Sequence, residues 1–342
     1  MYPVSVTQTL RAVLKRGALV AAANWPVALI QSVADGLFKL VIAAPLIGGV
    51  LLVTIVIGAD TEALNTLDWR VIAAGLVSSL LAHRVILVAF LLSLALVIVG
   101  GSLFVFLIKG GTVGVLVRGD RQTGAGSSLP PGVIDRAAAF SIELFIDSAR
   151  TLFPRYARLG FVLMAIYLGS GGAYFAVVAT RASGESWWVA TLVIVVFVLW
   201  TTLVNLLYLL VQIVIAADDC GVAAAARRVL AFVRHERRLV IGVFGVVLAM
   251  VALATGASLL AFTALGLIFL VPLAWLAAVP LQLVALVLRA IVFQYIGLSS
   301  IGAYLTLYRR FSERTAEGNP LPIPVVQGDR MLDGSEPSTN PS

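Results

Sequence analysis

The sequence predicts an all-α, polytopic membrane protein with six transmembrane helices, and three observations carry that prediction. The 342 residues are 61% apolar and only 12% charged, against about 45–50% and about 25% in soluble domains. Uncharged stretches near the ~20 residues that cross a bilayer recur along the chain. The basic residues gather between alternate stretches instead of being scattered. The apolar excess is more than a core of this size can bury, which excludes a soluble globular protein, a disordered chain and a secreted disulfide scaffold. One cysteine, Cys220, leaves no internal disulfide to form.

The first element is a helix over 7–20, with Leu10, Val13 and Leu14 opposite Gln8, Arg11 and Lys15 and with Thr7 as its cap. The first span follows over 25–58 as one long element bent at Pro45, with Trp25 at its inner start. Residues 69–83 are too short to cross and lie on the outer surface or dip into it. The second span covers 85–108. Gly110, Gly111, Gly119, Gly124 and Gly126 then suggest a phosphate loop, but the closing lysine and serine or threonine are missing. The segment is expected to be a linker.

At 134–156 Ala138, Ile142, Phe145, Ala149, Leu152 and Tyr156 form a stripe at steps of four and three, giving a second amphipathic helix. The third span occupies 159–180, entered at Tyr156, and the fourth 187–217, opened by Trp187 and Trp188 at the other interface. A third amphipathic helix fills 221–238. Val222, Ala226, Val229 and Val233 oppose Arg227, Arg234 and Arg238, with Asp218 and Asp219 at the start and the arginines late, as the helix dipole favours. The last uncharged run is long enough for two spans. Gly266 and Pro272 divide it into 241–264 and 270–292. Residues 1–312 thus form the membrane domain, and the proline-rich 313–342 a disordered cytoplasmic tail.

Placing both termini in the cytoplasm puts 19 of the 24 Lys and Arg residues on that side, as inner-membrane orientation requires. The net charge of +7 is then an orientation signal, not a nucleic-acid surface. The three amphipathic helices have basic polar faces suited to the headgroup plane, so Arg11, Lys15, Arg227, Arg228, Arg234 and Arg238 are expected on anionic lipid. Each precedes two spans, making three interfacial-helix/span/span units.

The run Ala216-Ala-Asp-Asp, Ala223-Ala-Ala-Ala-Arg-Arg-Val-Leu and Arg237-Arg-Leu-Val-Ile-Gly-Val-Phe, closing on Ala303-Tyr-Leu-Thr-Leu-Tyr-Arg-Arg, resembles the membrane domain attached to some bacterial glycerophosphodiester phosphodiesterases, and its stand-alone relatives. The resemblance covers mainly 200–312, and by layout only the rest. It implies a multi-pass bacterial membrane domain. The soluble catalytic domain of those enzymes, with its acidic and histidine metal ligands, has no counterpart here.

Ionisable groups at membrane depth default to functional hypotheses. Asp35 and Lys39, four apart on one helix face, form either a self-neutralised pair or a substrate or proton site. Arg289 either clamps onto Asp218 or Asp219 or binds an anion. Asn205, Tyr208 and Gln212 share a face expected to turn inward, as packing polar groups or a ligand pocket, and Gln282 and Gln294 flank Arg289. No serine-histidine-acid order, paired carboxylates or zinc motif is present, so neither an enzyme nor a cofactor is expected. The functional classes are, in order, a structural or membrane-organising inner-membrane protein, a transporter or lipid-handling protein with a polar intramembrane site, and an embedded enzyme.

Overall fold

The computed structural model describes residues 6–57, 84–124, 133–181, 187–268 and 275–318. All the regular structure among them is helical. Helix α1 runs Val6–Ala23, α2 Trp25–Ile57, α3 Arg84–Gln122 and α4 Val133–Ala137. Then come α5 Ile142–Arg181, α6 Trp187–Asp218, α7 Val222–His235, α8 Arg237–Ile268 and α9 Trp275–Gly318. Helices α2, α3, α5, α6, α8 and α9 are long and apolar enough to cross a membrane, so the chain is a multi-pass membrane protein with six spans. Helix α8 ends at Ile268 and α9 begins at Trp275; the expected break at Pro272 lies outside the described residues. The 69–83 segment lies outside the described residues.

The elements differ from the sequence reading where spans continue past the apolar stretch. The expected 110–126 linker is mostly the end of α3, which runs 14 residues beyond the expected 108. Gly110, Gly111 and Gly114 lie where α5 packs closely, Gly110 against Ala149 and Leu152 and Gly114 against Ser148, while Gly119 meets the Ala137 carbonyl of α4. Gly124, at φ +73°, closes the helix, because only a residue without Cβ turns there at little cost. The expected surface helix over 134–156 is split between α4 and a 40-residue α5 that passes through Pro154 into the third span. Helix α9 continues to Gly318, past the expected start of the tail. Residues 319–342 lie outside the described part.

Burial is confined to one end of the bundle. Buried residues come from α1, the first turns of α2 and α8, the last third of α3, Ala137 of α4, the first half of α5, the second half of α6, α7 and the 296–308 segment of α9. Residues 300–308 of α9 are buried on every side, a post around which the other helices assemble. A helix apolar all round belongs in such a place. Toward the other end Leu96, Phe175, Leu192, Leu253 and Val284 are exposed. Lipid solvates such side chains as well as protein does, so only the end carrying charges and helix termini has to pack.

Helix α1 belongs to this core, which corrects its assignment to the lipid surface. Val13, Arg16, Val20 and Ala21 are buried, and α1 lies against α9 with Gly17 facing Gly302. A Cβ on Gly302 would stand 2.9 Å from Gly17 Cα, and one on Gly17 2.6 Å from the Ser299 carbonyl oxygen. Two small residues let the backbones touch. The α1–α2 elbow is held by buried Asn24. Its amide donates to the carbonyls of Val20 (2.9 Å) and Ala137 (2.8 Å) and accepts from the Ala139 N–H (3.1 Å). Pro26 then occupies the first turn of α2, where its missing N–H costs nothing.

Candidate functional site

The packed end is organised on Asp120, in the last turn of α3. Its carboxylate is about 1% exposed and takes two arginines, Arg16 Nε on Oδ1 at 2.9 Å and Arg309 Nη1 on Oδ2 at 2.7 Å. The Thr306 hydroxyl donates to Oδ1 at 3.4 Å. Arg16 Nη2 also donates to the Asp120 carbonyl at 3.2 Å, and to Thr123 Oγ1 and the Gly124 carbonyl at 2.6 Å each. The open backbone acceptors at the end of α3 are thereby filled by a cation, the sign the C-terminal dipole prefers. One carboxylate ties α1, α3 and α9 together.

A second group of ties surrounds the α6–α7 corner. Asp219 holds a left-handed backbone, φ 48°, which Asp tolerates better than most residues, and the turn points the two acids apart. Asp218 accepts from Arg228 Nη1 at 2.5 Å and from the Tyr308 hydroxyl, and Asp219 pairs with Arg155. The Asp218 hydrogen bond raises the Arg228 guanidinium above its ordinary value. Burial raises the neighbouring Cys220 thiol. Glu236, between α7 and α8, pairs with Arg314 at 3.0 Å, and Phe232 meets Tyr308 edge-to-face and Phe311 at a tilt.

These partners displace two expectations. Arg228 turns inward to Asp218 and is not part of the lipid-facing set. Arg289 does not clamp to Asp218 or Asp219, whose arginine partners are Arg228 and Arg155. It is exposed on α9, with its guanidinium 5.9 Å and 5.6 Å from the ring centres of Phe262 and Phe293. Its neighbours are rings because Asp218 lies at the far, packed end of the bundle. Gln282 is half-exposed on the same helix. Arg11, Lys15, Arg227, Arg234 and Arg238 are exposed and form no ion pair among the described residues. The buried face of α7 is Ala225, Val229 and Phe232, one step round from the expected stripe through Ala226, which is exposed.

Asp35 and Lys39 join at 2.7 Å on the exposed side of α2, and the Asp35 carboxylate also acts on Lys109 of α3. The inward face expected of α6 holds for Tyr208 and Gln212, both buried. It fails for Asn205, which is exposed and accepts from the Tyr167 hydroxyl of α5 at 2.6 Å. Tyr156, expected at the interface, is fully buried and donates to the Gln212 carbonyl at 2.8 Å. Lys109, expected in a loop, lies between helices with its ammonium 5.4 Å from the centre of the Tyr208 ring. It forms no ion pair among the described residues. The Tyr208 hydroxyl, Gln212 Nε2 and Gln31 Oε1 are buried without hydrogen-bond partners among the described residues.

Two grooves open on the bundle's flank. One, about 560 Å³, lies between α1, α8 and α9 and is lined by Leu14, Ala18, Val247, Met250, Tyr295 and Ile296, with Arg11 and Lys15 also on its wall. The other, about 370 Å³, lies between α3 and α5 beside Phe106, Leu163 and Met164. Neither is lined by Asn205, Gln282 or Arg289.

Sequence reasoning missed Asp120, Arg309 and Lys109 as structural partners. Asp120 had a signal: it is the only acid between Lys109 and Ile134, following an apolar run and flanked by Arg118 and Arg121. No protein-family model, no curated protein and no solved structure matches the chain.

Proposed function

We propose that the protein is a membrane-organising scaffold of the bacterial inner membrane, its packed, basic end cytoplasmic and set against anionic headgroups. One observation carries the reading. At that end Arg11, Lys15, Arg227, Arg234 and Arg238 stay exposed and form no ion pair among the described residues, while Arg16, Arg155, Arg228 and Arg309 are spent on ties between helices. A rigid end with free cations is a surface for anionic lipid, where each Lys or Arg contributes about 1 kcal/mol. The test uses proteoliposomes with a trace of self-quenching, labelled phosphatidylglycerol. The intact protein should quench it, and Arg227→Gln/Arg234→Gln/Arg238→Gln should weaken the effect. Equal behaviour of labelled phosphatidylcholine would refute the reading.

Lys109 favours a second reading, transport of an anion or proton through the bundle. A cation buried between helices, with the Asp35 carboxylate near enough to act on it but not bonded to it, is costly, and such groups mark pathways. Pyranine-loaded proteoliposomes discriminate. Flux above empty vesicles that Lys109→Gln abolishes supports transport, and no flux leaves the scaffold.

A further inference from the structure

We infer that the groove between α1, α8 and α9 is a binding site for one anionic phospholipid, with an acyl chain along its floor and the phosphate on Arg11 and Lys15. The inference rests on the scaffold reading and assigns it a specific site. Its size, about 560 Å³, falls in the range of small-molecule sites. Its geometry follows the two ends of a lipid. Along α8 the lining runs from Val246 to Met250, nine to thirteen residues from Arg237, or about 14–20 Å into the helix at 1.5 Å per residue. There the walls are Val246, Val247, Met250 and Ile296, which suit a hydrocarbon chain.

At the other end α1 crosses α9 through the Gly17–Gly302 contact. This brings Arg11 and Lys15, one turn apart on the same face, to the groove's rim. Both are exposed and neither has a partner among the described residues. Two adjacent cations above an apolar channel complement one phosphodiester above one acyl chain. A third feature lies between them. Ser299 lines the groove, and its hydroxyl is buried with no hydrogen-bond partner among the described residues. Buried hydroxyls are normally satisfied, and a lipid ester carbonyl beside it is an acceptor it reaches by rotating about χ1. Tyr295, by contrast, has spent its hydroxyl on the Ala18 carbonyl at 3.1 Å and contributes only its ring.

Purified full-length protein in detergent is titrated with phosphatidylglycerol, phosphatidylcholine and inorganic phosphate, and bound adducts are counted by native mass spectrometry. One phosphatidylglycerol should bind ahead of the rest, with phosphatidylcholine weaker and phosphate alone not retained. Neutralising Arg11→Gln or Lys15→Gln should weaken that first site about fivefold, and both together about thirtyfold. Ala18→Phe, which fills the channel and leaves the charges, should also remove it. Should Ala18→Phe misfold, Val247→Phe on the opposite wall makes the same test. A first adduct unaffected by the double neutralisation or by plugging overturns the site, as does equal binding of phosphatidylcholine. If the adduct is absent while vesicle quenching persists, the groove proposal falls and the scaffold stands; loss of quenching by the intact protein removes the reading on which both rest.

Discussion

Replacing Asp120 by alanine removes the carboxylate that Arg16 Nε binds and one of two that Arg309 touches among the described residues, since Glu313 stands 3.5 Å from Arg309. Breaking a buried pair from one side costs about 3–5 kcal/mol, because the remaining charge stays buried. Arg16 keeps its bonds to the residue-120 carbonyl, Thr123 and Gly124, and Arg309 is about 23% exposed, so the loss should lie at the low end, near 3 kcal/mol. At about 2 °C per kcal/mol, the value larger domains approach, that lowers Tm by about 6 °C. The protein carries its own reporter. Cys220 is the sole cysteine and is partly covered, so a thiol-reactive dye follows unfolding in detergent without further engineering. Replacing both members, Arg16→Met with Asp120→Leu, should recover most of the loss, as apolar replacement of buried ion pairs often does. A Tm within 1 °C of the parent for Asp120→Ala would refute the account, as would a double variant as unstable as the sum of the singles.

Four further outcomes follow from named contacts. Gly17→Leu should cost about 3 kcal/mol, since its Cβ meets the backbone of α9, and hydrogen exchange across α1 should quicken; Gly36→Leu, with nothing within 4 Å, should be neutral. Asn24→Ala orphans the Ala137 carbonyl and Ala139 N–H, a loss of about 2–3 kcal/mol, read as faster amide exchange at Ala139. Arg289→Ala should cost no more than about 1 kcal/mol, the scale of an exposed cation–π contact, and a larger drop in thermal stability would reinstate a structural clamp. Burial raises the Cys220 thiol, so its thiolate fraction, and with it alkylation by iodoacetamide, should reach half-maximum above the ordinary thiol value of about 8.5. Arg228→Gln removes a charge that lowers it and should move the profile further up; half-maximal alkylation at or below the ordinary value would contradict the burial.

Much of the architecture was legible in the residues. The spans were set by a single physical requirement, about 20 apolar residues without charge, and α2, α6 and the break before α9 agree with it to within a few residues. The extensions of α3, α5 and α9 were not legible, because past the apolar stretch the helix is held by neighbours and not by lipid. Gly110 and Gly111 look like a linker in a sequence and serve as contact surface once α5 lies against them. The stripe through Phe145, Leu152 and Tyr156 showed its helical period correctly, yet period alone does not say whether lipid or protein covers an apolar face.

The sequence by itself determined that the chain crosses a membrane and does so with six helices, because hydrophobic length and charge scarcity are local properties that any fold must respect. It also showed Asp35 within reach of Lys39, a pair set by spacing along one helix. Only the tertiary structure decided which cations are spent and which remain free. Arg16, Arg155, Arg228 and Arg309 find acids that lie 104, 64, 10 and 189 residues away, while Arg11 and Lys15 find none among the described residues. A charge is satisfied by what stands beside it in space, and along a chain of packed helices that neighbour has no fixed distance in sequence.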